Sequence, residues 1–134
     1  MRYYIASKLE NVEQVRVLKS YLEARGHVHT YDWTVHGSVQ KQGHDVIAGV
    51  AEKEACGVMS ADVVFVLLPG GRGTHVETGI AIGVAAALGT RIVIMSENPD
   101  TDFGTGGETC AFYHHPFVET VDSFYELLKL VDNL

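Results

Sequence analysis

A carboxylate, a cation and three glycines fall within one short stretch, Pro69-Gly70-Gly71-Arg72-Gly73-Thr74-His75-Val76-Glu77. Glycines let a backbone approach a ligand closely, and free amides at a helix start favour an anion. The stretch follows the apolar run Val63-Val64-Phe65-Val66-Leu67-Leu68 and leads into an Ala-rich helical segment, Ile80 to Leu88. Strand, glycine loop, helix is how an α/β sheet presents a ligand site. Glu77 then stands in the first helical turn, as a partner of the helix dipole or as a reagent. Two common phosphate loops are excluded by residue identity. Gly71-x-Gly73 is followed by Val76, where a dinucleotide fingerprint needs glycine, and no Gly-Lys-Ser/Thr run exists for a triphosphate loop.

The elements that position this stretch follow from periodicity. Tyr3–Ala6 reads as a first strand. Asn11 is a helix N-cap, and Val12, Val15, Leu18 and Leu22 recur at helical spacing through Arg25 until Gly26 ends the helix. His27–Tyr31 is a second strand, Asp32–His44 a polar loop, and Asp45–Met59 a helix with Val46, Val50, Ala51, Ala55 and Val58 on its apolar face. Asp62–Leu68 is apolar on both sides, which predicts a central parallel strand. Thr74–Leu88 is a helix, Arg91–Ser96 a fourth strand, Glu97–His115 a loop, Pro116–Val118 a short fifth strand and Ser123–Val131 a last helix. The alternation predicts a small doubly wound, Rossmann-like parallel sheet of about five strands, with helices on both faces and sites at the strands' carboxyl ends.

The 134 residues predict one domain, 1–134, with a single core. No apolar stretch is long enough to span a bilayer, and Met1-Arg2 leads straight into a strand-like run, so a cytoplasmic protein without signal peptide is expected. Cys56 and Cys110 lack metal-ligand spacing and read as free thiols. A net charge of −7 argues against a broad nucleic-acid surface but not against a single mononucleotide in a pocket. Seven histidines show no metal-ligand spacing: His27-x-His29 alternates along a strand, and His114-His115 is a loop pair. No metal and no cofactor are expected.

Pro69-Gly-Gly-x-Gly-Thr-x-x-Glu77 resembles the glycine-loop motif of the LOG-type nucleotide phosphoribohydrolases, once called lysine-decarboxylase-like. More of the chain, most of residues 3–95, is similar to the nucleoside 2-deoxyribosyltransferase family, with its 2'-deoxynucleoside 5'-phosphate N-hydrolase branch. The residues that carry this likeness are Tyr3-Tyr4-Ile5-Ala6-Ser7, Glu54 eight residues before Asp62, and Gly73-Thr-His-Val-Glu77-Thr-Gly79-Ile-Ala81. Both families cleave a bond between a base and a (deoxy)ribose, which builds positive charge on the anomeric carbon and negative charge on the base. The resemblance implies that Glu77 is the nucleophile, and that Glu54 holds a proton for the base or orients Glu77. It also implies a homodimer or dimer of dimers in which a neighbour's loop, here around His115, completes each pocket. The small residues Ala81, Gly83, Ala85, Ala86 and Ala87 suit such close helix packing.

Tyr4, Ala6, Ser7 and Trp33 are candidates for the base pocket, with an aromatic plane free to stack on the base. Trp33 stands in a polar segment and is expected outside the main core. Arg72 is the first candidate for a 5'-phosphate, with Lys8 and Arg16 behind it and Gly70, Gly71, Gly73 and Thr74 forming the cradle. Asp62 either caps the strand start or fixes loop geometry. The family's sugar-binding Asp, six residues before the nucleophile, is Gly71 here. The reading is an N-glycosidase or deoxyribosyltransferase acting on a small-molecule nucleoside or nucleotide. The alternative is a non-catalytic sensor of a nucleotide or ADP-ribose-like ligand in the same pocket, or a dimer with a vestigial site.

Overall fold

In the computed structural model, which describes residues 1–134, the elements in chain order are β1 (Arg2–Ala6), α1 (Val12–Glu23), β2 (Val28–His29), α2 (His44–Met59), β3 (Val63–Leu67), α3 (Arg72–Leu88), β4 (Arg91–Met95), α4 (Pro99–Asp102), β5 (Val118–Val121) and α5 (Phe124–Asp132). All strand pairs are parallel, in the order β2-β1-β3-β4-β5. β3 is central and every residue of it is buried, as its unbroken apolar run predicts. The chain is therefore an α/β protein with a five-stranded parallel sheet and helices on both faces. α2 packs on α3, and α1 packs on α5. The direction of winding reverses between β1 and β3, which opens a crevice at their carboxyl ends. No helix is long and apolar enough to cross a membrane.

Gly26 and Gly89 end α1 and α3 with φ of 83° and 70°, left-handed values that favour glycine. Asn11 precedes α1 but makes no side-chain cap. Its amide instead donates to Ser7 Oγ at 2.9 Å and to the Pro69 carbonyl at 2.9 Å, tying the end of β1 to the glycine loop.

Four segments differ from the reading of the sequence. β2 is only Val28–His29, because the chain turns away after Thr30, whose hydroxyl donates to the Gly57 carbonyl at 2.7 Å. The shortened strand leaves the Ile5 carbonyl of β1 without a sheet partner. Trp33 Nε1 donates to it at 2.8 Å, which draws the indole into the core at 6% exposure rather than leaving it outside. The following 3-10 turn, Trp33–Val35, is capped by Asp32, which accepts from Thr34 N at 3.0 Å. The fifth strand lies beyond Phe117, at Val118–Val121: the Val118 amide turns back to the His115 carbonyl, and Glu119 pairs with Arg91 of β4. Between β4 and β5 the expected loop contains α4 and a 3-10 turn, Ala111–His114.

Candidate functional site

A pocket of about 540 Å³ opens at the crevice between the ends of β1 and β3. Four segments wall it. Ser7–Glu10 follows β1. Trp33 and His36–Gln40 follow β2. Ile47, Val50, Ala51 and Glu54 come from α2, and Gly71–Thr74 with Glu77 from the start of α3. Each wall except α2 therefore begins where a strand stops.

The glycine loop is built for close approach. A Cβ on Gly70 would lie 2.7 Å from Thr74 Cγ2, so Thr74 packs where only glycine leaves room. The Thr74 hydroxyl accepts from the Gly71 amide at 3.1 Å, closing the first turn of α3. A Cβ on Gly71 would stand 3.7 Å from Lys8 Cβ, which places Lys8 against the loop, and Arg72 follows Gly71 in the chain. His75 braces the loop from outside: its Nδ1 donates to the Gly71 carbonyl at 2.7 Å, and its Nε2 accepts from the Tyr113 hydroxyl at 2.7 Å.

Glu77 is 7% exposed at the pocket floor, where the hydroxyl of fully buried Tyr4 donates to its Oε2. Burial pushes the Glu77 carboxyl up to about 8; the Tyr4 hydrogen bond pulls the other way, and neighbouring Glu54 adds to the rise. Tyr4 itself is held far above the ordinary phenol range by burial and by Glu77, so it is a neutral donor. Glu54 is also raised by burial, with His36 opposing. Two carboxyls and an imidazole thus share a partly desolvated space. Two carboxyls raised by burial in one cleft make it a candidate reactive site. A carboxylate freed in such a place can attack or stabilise an electron-poor carbon.

The residues expected at the site from sequence divide in two. Glu77, Glu54, Ser7, Trp33, Gly71, Arg72, Gly73 and Thr74 line the pocket. Ser7 does so with its hydroxyl committed, donating to the Leu67 carbonyl at 2.8 Å. Tyr4, Ala6, Gly70, Asp62 and His115 do not line it. Tyr4 presents no stacking plane, because β1 carries it inside the core beneath Glu77. Ala6 is likewise sealed within the sheet. Gly70 acts through the room it gives Thr74. Asp62 stands at the amino end of β3, the opposite edge of the sheet, and accepts from the Arg2 amide at 2.7 Å. His115 Nδ1 accepts from the Phe117 amide at 3.1 Å, outside the pocket of its own chain. Arg16 is turned away, toward Glu13 and the Thr34 carbonyl.

The sequence reading missed the wall His36–Gln40 and the apolar patch of Ile47, Val50 and Ala51. The polar loop carries no periodic signal. Ile47 stands three residues before Val50 and four before Ala51, on the same helix face, and that face is given to the pocket rather than to the core. No group of three or more His, Cys, Asp or Glu side chains converges where a metal could sit.

Fold and site together define an α/β protein with a carboxyl-rich pocket at the switch point of a parallel sheet. No protein-family model and no curated protein sequence matches the chain. Among solved structures it is similar to the Clostridium botulinum CMP N-glycosidase BcmB, with a TM-score of 0.62 and 18% identity over 99% of this chain and 98% of that one. At that identity the likeness is one of fold.

Proposed function

We propose that the protein cleaves the N-glycosidic bond of a nucleoside 5'-monophosphate, with Glu77 as nucleophile. The observation that carries this reading is Glu77 itself, buried beneath a glycine loop, held by Tyr4, and open to a pocket with two unlike ends. Lys8, Arg72 and the amides at the start of α3 make one end cationic and suit a phosphate. Ile47, Val50 and Ala51 make another side apolar and suit the face of a base. A sugar bridging the two lies over Glu77. The fold shared with a CMP N-glycosidase supports the same reaction class.

In the reaction, a Glu77 carboxylate oxygen attacks the anomeric carbon as the bond to the base breaks, and water then hydrolyses the ester. Tyr4 steadies the carboxylate. The test is a panel of ribo- and deoxyribonucleoside monophosphates and their free nucleosides, with CMP as first probe, read by chromatography for released base. Monophosphates are expected to outcompete nucleosides. Arg72→Ala is expected to erase that preference by about tenfold or more, the size of one charge-assisted contact. Adding a second base to the mixture separates hydrolysis from transfer, since only a transferase forms the exchanged nucleotide. Tight binding with no released base would favour the sensor.

We also propose that the working form is a homodimer through α2 and α3. Val76 and Leu88 are 63% and 66% exposed, beside the small residues Gly79, Gly83, Ala86 and Ala87 on the open side of α3. Such a face permits close helix approach across a two-fold axis. The partner's loop around His115 is expected to approach the pocket.

A further inference from the structure

His36 has one ring nitrogen committed and one free. Its Nδ1 lies 2.8 Å from the Gly37 carbonyl oxygen, which only accepts, so Nδ1 carries a proton and donates it. Its Nε2 is buried and has no hydrogen-bond partner. The ring belongs to the pocket wall and packs at a tilt against Tyr31, with centroids 5.9 Å apart. Across the same space, α2 presents Glu54, whose carboxyl His36 pulls down against the effect of burial. An imidazole in the pocket wall, anchored at one nitrogen and unpaired at the other, has a position free for a second proton, with Glu54 in the same pocket lining.

We propose that His36 is the acid that protonates the departing base, with Glu54 as the carboxylate that supports its imidazolium. This rests on the N-glycosidase reading of the pocket. The wall His36–Gln40 lines the pocket together with the apolar patch of α2, against which that reading puts the base. Glu77 is committed to the sugar, and Tyr4 has its hydroxyl proton committed to Glu77.

The step balances. The bond from the anomeric carbon to the base nitrogen breaks, and its electron pair leaves with the base. The Nε2 proton of His36 passes to the base, while a Glu77 oxygen forms the ester bond to the anomeric carbon. In the second half, water adds its oxygen to that carbon, the Glu77 bond breaks with its pair returning to the carboxylate, and the water proton goes to Nε2. The products are the neutral base and the sugar phosphate, and the imidazolium and the carboxylate are restored.

The experiment compares two leaving groups on the whole protein. One substrate is the best nucleotide of the panel, with CMP as first probe. The other is ribose 5-phosphate carrying 4-nitrophenolate, which departs without a proton. For His36→Ala and His36→Gln, each shown to be folded by its melting transition, kcat/KM, which ends at base departure and leaves out the later hydrolysis of the ester, is expected to fall about 100-fold or more on the nucleotide. On the nitrophenyl substrate the fall is expected to stay within about tenfold, the proton-transfer advantage being absent there. Equal losses of kcat/KM on both substrates, or an unchanged kcat/KM on the nucleotide, would overturn the assignment. Glu77→Gln serves as the separate control. It is expected to fail on both substrates, and activity on both would defeat the glycosidase reading itself, whatever His36 does.

Discussion

Glu77 shows how a buried carboxyl is made ready, and what that costs the fold. Its native value of about 8 lies above the ordinary 4.5, so the folded chain holds this proton more tightly than the unfolded chain. The stability this contributes is complete below about pH 4.5 and is lost as pH climbs through about 8. Glu77→Gln keeps the shape and removes the buried charge. Its melting temperature is expected to exceed that of the wild type at about pH 9, with the gap closing near pH 5. Thermal scans at the two pH values check this, and a variant less stable at both would contradict it. Tyr4→Phe removes the one hydrogen bond that lowers the Glu77 carboxyl. The acid limb of kcat/KM, which reports the free enzyme, is therefore expected to move to higher pH in that variant. An unmoved limb would mean that Tyr4 does not act on Glu77. The place of Glu77 was legible from its spacing after the glycines. Its partner was not: Tyr4 lies 73 residues away, and only the sheet order brings β1 beside β3.

At the scale of elements, the start of α3 depends on two glycines in different ways. Gly70→Ala would press a Cβ into buried Thr74, and because Thr74 is β-branched the helix start must shift. A loss of about 1–3 kcal/mol is expected, with weaker ligand binding. A Cβ on Gly73 meets nothing within 4 Å, so Gly73→Ala is expected to be tolerated or slightly stabilising. Urea denaturation of the pair checks the contrast, and equal midpoints would contradict it. Strand β3, α1 and α5 were legible because burial on both faces, or on one stripe, writes itself into composition; the apolar face expected for α2 was not, since Val46 is exposed, Val50 and Ala51 line the pocket, and of the five residues expected there only Val58 is buried. The short β2 and the burial of Trp33 were not, since both follow from side-chain bonds to distant carbonyls, Thr30 to Gly57 and Trp33 to Ile5. Pro116–Val118 reads as a strand by its apolar content, yet the edge position goes to Val118–Val121, where Glu119 can meet Arg91.

For the whole molecule, the parallel sheet gathers chemistry from four separate segments at one edge, and the open face of α2 and α3 gives that edge a way to meet a second copy. Val76→Glu combined with Leu88→Glu places charge on this face without touching the pocket. Light scattering at micromolar concentration is expected to show a dimer for the wild type and a monomer for the double variant. Equal masses would contradict the proposed interface. If the partner's loop completes the pocket, mixing Glu77→Ala with His115→Ala protein is expected to restore about a quarter of full activity, one sound site in each hybrid dimer and half of the dimers hybrid. A dimer without this rescue would remove His115 from the site while leaving the interface in place.

The most direct measurement of the central claim is base release from nucleoside monophosphates by the wild type and by Glu77→Gln, side by side, at about pH 8. The wild type is expected to liberate free base and sugar phosphate in equal amounts. Glu77→Gln, folded and still able to bind nucleotide, is expected to fall about a thousandfold or more, as when a nucleophile is removed from an intact site. Turnover by Glu77→Gln near the wild-type rate, or a wild type that binds monophosphates and releases no base, would contradict it.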